Sequence, residues 1–129
     1  MTQHPAATEL LASVSSFLRD ELLPSLRGAY AFNLRVSINA IELVRREIER
    51  GADTAARERS RLAGLLGGDS GLDAMRSALC RKIASGEFTL EQSSLREHLR
   101  ATAMERMAID QPSYSAYLAG MARDRLEQK

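Results

Sequence analysis

Residues 28–50 read GAYAFNLRVSINAIELVRREIER, the longest segment of the chain with a helical pattern. Apolar residues recur in it at steps of three and four, the period of an α-helix. In its first half they cover most of the circumference, which is typical of a helix packed on several sides. We therefore predict a central helix that ends at Gly51, a residue suited to a C-terminal cap. The residues we expect among the most buried are Phe32, Val36, Ala40, Leu43 and Val44.

Five further helices are indicated by apolar residues at helical spacing, with turn or capping residues between them. The boundary signals are Pro24, Asp53, the glycine-rich residues 64–71, Gly86, a capping box from Thr89 to Gln92, and Ser113. The connections are too short to separate domains. We predict an all-α fold, a single-domain antiparallel helical bundle of about six helices spanning residues 1–129, with residues 1–7 as a flexible N-terminus.

The composition excludes several classes of protein. The chain has 129 residues, of which 44% are hydrophobic and 27% charged, as in an ordinary globular domain. Its formal net charge of +1 favours neither nucleic acid nor anionic lipid. No apolar run approaches the roughly 20 residues of a membrane span. With a lone Cys80 and no signal-peptide pattern at its start, we expect a cytoplasmic protein that does not bind membranes.

No set of residues suited to catalysis or cofactor binding is evident. The glycines of residues 64–71 lack the following Lys of a phosphate-binding loop, so we interpret them as a turn between helices. His4 and His98 are too few for a metal site, and we expect His98 to be a partly exposed surface residue. Cys80 lies in mid-helix without a base, which favours a small buried apolar role. We expect no catalytic residue, no metal and no cofactor.

A DNA-binding interpretation is weak. Arg57, Arg59 and Arg61 precede a helix of the kind that enters a major groove. That helix starts with Leu72 and Asp73, which places an acid where phosphates would lie. We expect no nucleic-acid partner.

The polar residues of the second helix are the most informative candidates for a site. Arg35, Asn39, Glu42 and Arg46 follow one another at steps of four, three and four, so they share a face. Two interpretations are open. They form an internal network that satisfies their charges, which we favour, or Arg35 and Asn39 line a cleft for an anionic ligand or a partner carboxylate.

A second candidate lies at a helix corner near the C-terminus. Asp110 and Pro112 are typical turn residues, and Tyr114 and Tyr117 follow them. The two tyrosines either pack over the corner or anchor a partner protein, since Tyr is favoured at interfaces.

Short motifs in the chain resemble an uncharacterised bacterial family of small all-helical proteins. The residues that carry the resemblance are Phe32-Asn-Leu-Arg35-Val36, Asn39-Ala40, Arg46-Glu47, Ile83-Ala-Ser-Gly86 and Ile109-Asp-Gln-Pro112-Ser-Tyr114. Members of that family accompany kinases similar to aminoglycoside and choline phosphotransferases, and sometimes acyl-CoA dehydrogenases, as fused or neighbouring products. The resemblance implies a protein partner and no reaction.

These observations favour a non-catalytic accessory or protein-interaction domain, with a phosphotransferase-like enzyme as its partner. The alternative is a small anionic-ligand binder or minor enzyme that uses the polar face of the second helix. A DNA-binding regulator is a third and weaker hypothesis. Whether the chain forms a homo-oligomer is left open.

Overall fold

The computed structural model describes residues 4–129. Within this range it contains five α-helices and no β-strand, so the all-α prediction is confirmed. The helices are α1 (Ala7–Phe17), α2 (Gly28–Leu66), α3 (Leu72–Ala84), α4 (Ser93–Asp110) and α5 (Ser115–Glu127). A π-helical turn (Leu18–Leu22) and a 3-10 turn (Leu23–Ser25) follow α1. The predicted flexible N-terminus falls partly on Met1, Thr2 and Gln3, which lie outside the described residues.

The chain divides into two compact units, and the boundary falls within α2. The first unit ends at Gly51 and the second begins at Ala52. The first therefore contains α1 and the N-terminal part of α2, and the second contains the rest of α2 with α3, α4 and α5. The assignment of residues 1–129 to one domain stays a prediction.

The prediction that the second helix ends at Gly51 is wrong. Helix α2 continues to Leu66, which merges the predicted second and third helices and gives five helices instead of six. Gly51 does not have the positive φ of a glycine cap, whereas Gly67, directly after α2, has a φ of 79°. A glycine inside a helix costs about 1 kcal/mol relative to Ala, and a 39-residue helix tolerates that cost.

The apolar surface of α2 in the first unit is largely exposed, contrary to our expectation. Phe32 is 63% exposed and Val36 52% exposed, and Ala40, Leu43 and Val44 are also exposed. The buried side of this part of α2 carries Ala31 and Ile38 instead. The physical reason is that a helix apolar on several sides needs several neighbours, and among the described residues of this unit, 4–51, α1 is the only other α-helix.

The hydrophobic core of the second unit lies between the C-terminal part of α2, α3 and α4. Leu62, Met75, Leu79 and Leu95 form a buried cluster, with Phe88 packed against it. Met75 and Leu79 lie four residues apart, so α3 turns one stripe inward, and Leu62 of α2 and Leu95 of α4 complete the cluster. Leu62 and Met75 are fully buried.

The connections between helices follow the predicted turns with shifts of a few residues. Gly71 precedes α3 with a φ of 99°, and its N–H donates to Asp69 Oδ1 over 3.0 Å, as expected for a turn. Helix α4 begins at Ser93, later than the capping box suggested, although the Thr89 N–H still donates to Gln92 Oε1 over 3.0 Å.

Candidate functional site

The four polar residues predicted on the second helix lie in different surroundings. The side chains of Arg35 and Asn39 are exposed and make no hydrogen bond or ion pair with any described residue. Glu42 is half-buried and pairs with Arg45 and Arg19, so it lies towards α1. Arg46 is half-buried and is not free of interactions. Whether these residues act as a network or as a cleft stays a prediction.

Glu42 connects the two helices of the first unit. Arg19, in the π-helical turn, donates from Nη2 to Ser15 Oγ over 3.0 Å and lies 3.5 Å from Glu42 Oε1. Arg45 donates from Nε to Glu42 Oε2 over 3.1 Å, and its Nη2 also contacts this oxygen. The Ser15 hydroxyl and the Arg45 guanidinium outweigh partial burial and lower the pKa of Glu42. Sequence spacing did not reveal Ser15, which is fully buried.

Exposed apolar side chains of α2 lie on one side of the helix in the first unit, with the exposed Asn33, Ser37 and Glu47 between them, and this side is here called the α2 face. At 3.6 residues per turn, its members span an arc of about 160°. Its members are Phe32, Val36, Ala40, Leu43, Val44 and Ile48, all of them exposed. Exposed apolar patches of about 300–600 Å² on a monomer are often functional.

Basic and polar residues border one side of the α2 face. Arg35, Asn39 and Arg50 lie at helical positions along this border, and all three are exposed. Arg35 and Arg50 have no carboxylate partner among residues 4–129. The predicted polar pair Arg35 and Asn39 is therefore the rim of an apolar surface.

Arg61 organises a polar network in the second unit. Its Nη1 donates to Glu105 Oε1 over 2.8 Å, and its Nη2 donates to Glu105 Oε2 over 3.1 Å and to Thr102 Oγ1 over 3.2 Å. Arg57, which is more exposed, donates from Nε to Glu105 Oε1 over 3.2 Å. Burial acts to raise the pKa of Glu105, but its hydrogen bonds and charge interactions with Arg61 and Arg57 bring it below its usual value.

His98 is buried within this network, so the expectation of a partly exposed surface histidine is wrong. It is 4% exposed, and its Nδ1 accepts a hydrogen bond from Arg61 Nε over 3.2 Å. Burial and the neighbouring Arg61 charge lower its pKa. An arginine cannot give up its proton, so Nδ1 must be the unprotonated nitrogen and the ring proton sits on Nε2.

A second buried carboxylate is paired next to the network. Glu58 is 7% exposed and receives two hydrogen bonds of 2.6 Å from Arg76, in a bidentate geometry. These bonds are the main reason that the pKa of Glu58 is lowered. The expectation that Cys80 is buried is wrong, because its side chain is exposed on α3.

An open cleft of about 360 Å³ lies beside the network. It is formed by the end of α2, the segment after α3 and the first turns of α4, all within the second unit. We call it the His98 cleft. Its lining residues are Arg61, Gly64, Leu65, Phe88, Gln92, Ser94, Glu97 and His98. The cleft is not predictable from local sequence patterns, because its members come from segments far apart in the chain.

The remaining candidates are the two tyrosines of the C-terminal corner, whose role as a partner anchor stays a prediction, and the arginines considered for DNA binding. Tyr114 is exposed and Tyr117 half-buried. Arg59, one of the three arginines considered for DNA binding, pairs with Asp69 over 2.8 Å, and Arg57 and Arg61 pair with Glu105. Across residues 4–129, no three His, Cys, Asp or Glu residues are grouped so that they would hold a metal ion.

The structure defines a small all-α protein with an exposed apolar helix face and a polar cleft. The sequence model of a protein family, the domain of unknown function DUF6285, matches residues 24–114. The chain therefore belongs to this family. Comparison with curated proteins gave no match, and neither did comparison with solved structures. None of the helices in the described part of the chain is both long enough and apolar enough to cross a membrane.

Proposed function

We propose that this protein is a non-catalytic interaction module that docks a partner protein on the α2 face. The observation that carries the proposal is the exposure of Phe32, Val36, Val44 and Ile48 along a single helix. Burying about 400 Å² of apolar surface is favourable by about 10 kcal/mol before the costs of association are subtracted. A standard interface buries roughly 800 Å² per partner, so the polar rim has to contribute the rest of the area.

The rim of the α2 face favours a partner with acidic residues beside its apolar surface. Arg35 and Arg50 are exposed and lack carboxylate partners in the described chain. A partner that supplies carboxylates at these positions gains charge-assisted hydrogen bonds and faster association. We infer an amphipathic helix with an acidic flank as the docking element, because a helix packs along another helix through residues at steps of three and four.

A second copy of the chain fits this surface less well. Arg35 and Arg50 are exposed on this border, whereas Glu42, which shares the face of Arg35 and Asn39, is half-buried and already paired with Arg45 and Arg19, so a copy offers these arginines no free carboxylate there. Like charges at the rim of an interface act against association. We therefore propose a different protein as the occupant.

We propose a phosphotransferase-like kinase as the partner protein. The support for this assignment is the resemblance of the chain to proteins that accompany such kinases. The exposed α2 face supplies the surface that an accessory domain needs. In this proposal the chain performs no chemistry itself, and it acts bound to the kinase in a bacterial cytoplasm.

The test is a titration of the purified chain with a purified phosphotransferase-like kinase from the same organism. Val36→Glu places a charge in the α2 face and is expected to weaken binding at least tenfold, about 1.4 kcal/mol. Ile83→Glu is the matched control, because Ile83 is an exposed aliphatic residue of α3 in the other unit. The affinity of the Ile83→Glu variant for the kinase is expected to equal that of the wild type.

Three results would contradict the proposal. The first is kinase binding that Val36→Glu and Ile83→Glu weaken equally, and the second is no binding of the wild-type chain to the kinase. The third is light scattering that shows a stable dimer of the chain alone, disrupted by Val36→Glu, because a second copy then occupies the α2 face.

A further inference from the structure

We propose that the His98 cleft binds a small organic monocarboxylate. The cleft has a volume of about 360 Å³, within the range of roughly 300–1,000 Å³ that is usual for small-molecule sites. Its residues all lie at or beyond Arg61, so the site is separate from the α2 face. The following features of its lining define the class of ligand.

The first feature is a histidine N–H without a protein acceptor. His98 lines the cleft, and its Nδ1 is occupied by the Arg61 Nε–H, which leaves the proton on Nε2. Nε2 makes no hydrogen bond with a described residue. Every buried side-chain nitrogen or oxygen in the described chain has a hydrogen-bond partner, so Nε2 is not one of these buried atoms. Nε2 must therefore reach solvent, and with His98 only 4% exposed, the cleft is the opening available to it. A lowered pKa keeps the ring neutral, as a fixed donor.

The second feature is the uncapped start of α4. Gln92, at the N-cap, and Ser94 both line the cleft. No side chain caps this helix end, and its first turn contains no acidic residue. The N–H groups of Ser93 and Ser94 have no acceptor in the described chain. Free N–H groups and the helix dipole together favour an anionic oxygen at this position.

The charge of the lining limits the ligand to a single negative charge. Arg61 already donates to Glu105, Thr102 and His98, so its charge is largely satisfied. Glu97 adds a negative charge to the lining. A phosphate dianion normally requires an unpaired Arg or Lys, which this cleft lacks. A carboxylate needs fewer donors, and the neutral His98 and the α4 N-terminus supply them.

The walls favour a ligand with an apolar body. Phe88 and Leu65 line the cleft, and Gly64 has no side chain to fill it. A Cβ built on Gly64 would have no heavy atom within 4 Å, so space is open above the α2 backbone. An aromatic or aliphatic group is therefore expected to lie against Phe88 and Leu65, with its carboxylate directed to His98 and Ser94.

The proposal is tested by backbone amide NMR titrations of the full chain with three probes of similar size. Phenylacetate carries a monocarboxylate, 2-phenylacetamide is its neutral analogue, and phenyl phosphate carries a dianion. Phenylacetate is expected to bind with a Kd of about 1 mM or below and to shift the amides of Ser94 and His98. The two other probes are expected to bind at least tenfold more weakly.

Substitutions then locate the site. Gly64→Leu fills the cleft from an exposed helical position and is expected to abolish phenylacetate binding. Ser60→Leu is the matched control one turn earlier on α2, also exposed but outside the cleft, and it should bind normally. Ser93→Pro removes one of the two free N–H groups at the first position of α4, where proline is well tolerated, and should weaken binding several-fold. Equal binding of phenylacetate and 2-phenylacetamide, binding that survives Gly64→Leu, or no binding of any probe would overturn the proposal.

Discussion

Replacing Arg61 by Met is expected to destabilise the protein far more than replacing Arg57 by Met, although both side chains contact Glu105. Arg61 is 23% exposed and donates hydrogen bonds to Glu105, Thr102 and His98. Arg57 is 55% exposed and reaches Glu105 through a single bond. Breaking a buried ion pair costs about 3–5 kcal/mol and an exposed pair contributes under about 1 kcal/mol. Because Arg61 and Glu105 are mostly but not fully buried, we expect a loss of about 3 kcal/mol for Arg61→Met and under about 1 kcal/mol for Arg57→Met.

Urea unfolding followed by far-ultraviolet circular dichroism measures both losses. With a slope of about 1–3 kcal/mol per M, Arg61→Met should lower the midpoint by about 1 M or more. Arg57→Met should leave it nearly unchanged. Equal shifts for the two variants, or a loss below about 1 kcal/mol for Arg61→Met, would show that the Arg61 network does not stabilise the second unit.

Three further outcomes follow from burial, backbone conformation and titration. Leu62→Ala should lower the free energy of unfolding by about 2–5 kcal/mol because Leu62 is fully buried. Leu43→Ala should lower it much less because Leu43 is 36% exposed. Equal losses in urea melts would contradict the assigned core. Gly51→Ala should stabilise the protein by about 0.4–1 kcal/mol, since Gly51 is helical without a positive φ; a lower melting temperature would show that it caps a helix. The pKa of His98 is lowered in the folded state, so the unfolded state binds its proton more readily and stability should fall as pH drops below about 6.5. His98→Gln should flatten the pH dependence of stability between about pH 7 and 5.5, and an unchanged slope would exclude this contribution.

The helices were predictable because the signals for them are local. Apolar spacing and the helix-breaking Pro24 and Gly67 act within a few residues, so an all-α fold follows from the sequence. The continuation of α2 through Gly51 was not predictable in this way, because the same glycine is compatible with a cap and with a helix interior. The choice depends on the neighbouring structure, which a local pattern does not contain.

The site was less predictable because it depends on distant residues. Periodicity identifies the apolar side of α2 but does not tell whether another helix of the same chain covers it, so the pattern alone predicts Phe32 and Val36 in the core. The pattern around His98 predicts a surface residue, because its partner Arg61 lies 37 residues away in the sequence. Neither a motif nor a spacing reveals a contact of this kind.

Amide hydrogen exchange across residues 32–48, with and without a purified phosphotransferase-like kinase, tests the docking role of the α2 face most directly. Exchange reports opening of each backbone N–H, so a docked partner slows it where the partner binds. The account predicts slower exchange in residues 32–48 of the wild-type chain, the same slowing in Ile83→Glu, and none in Val36→Glu. Unchanged exchange in this segment while the kinase is bound would contradict the account.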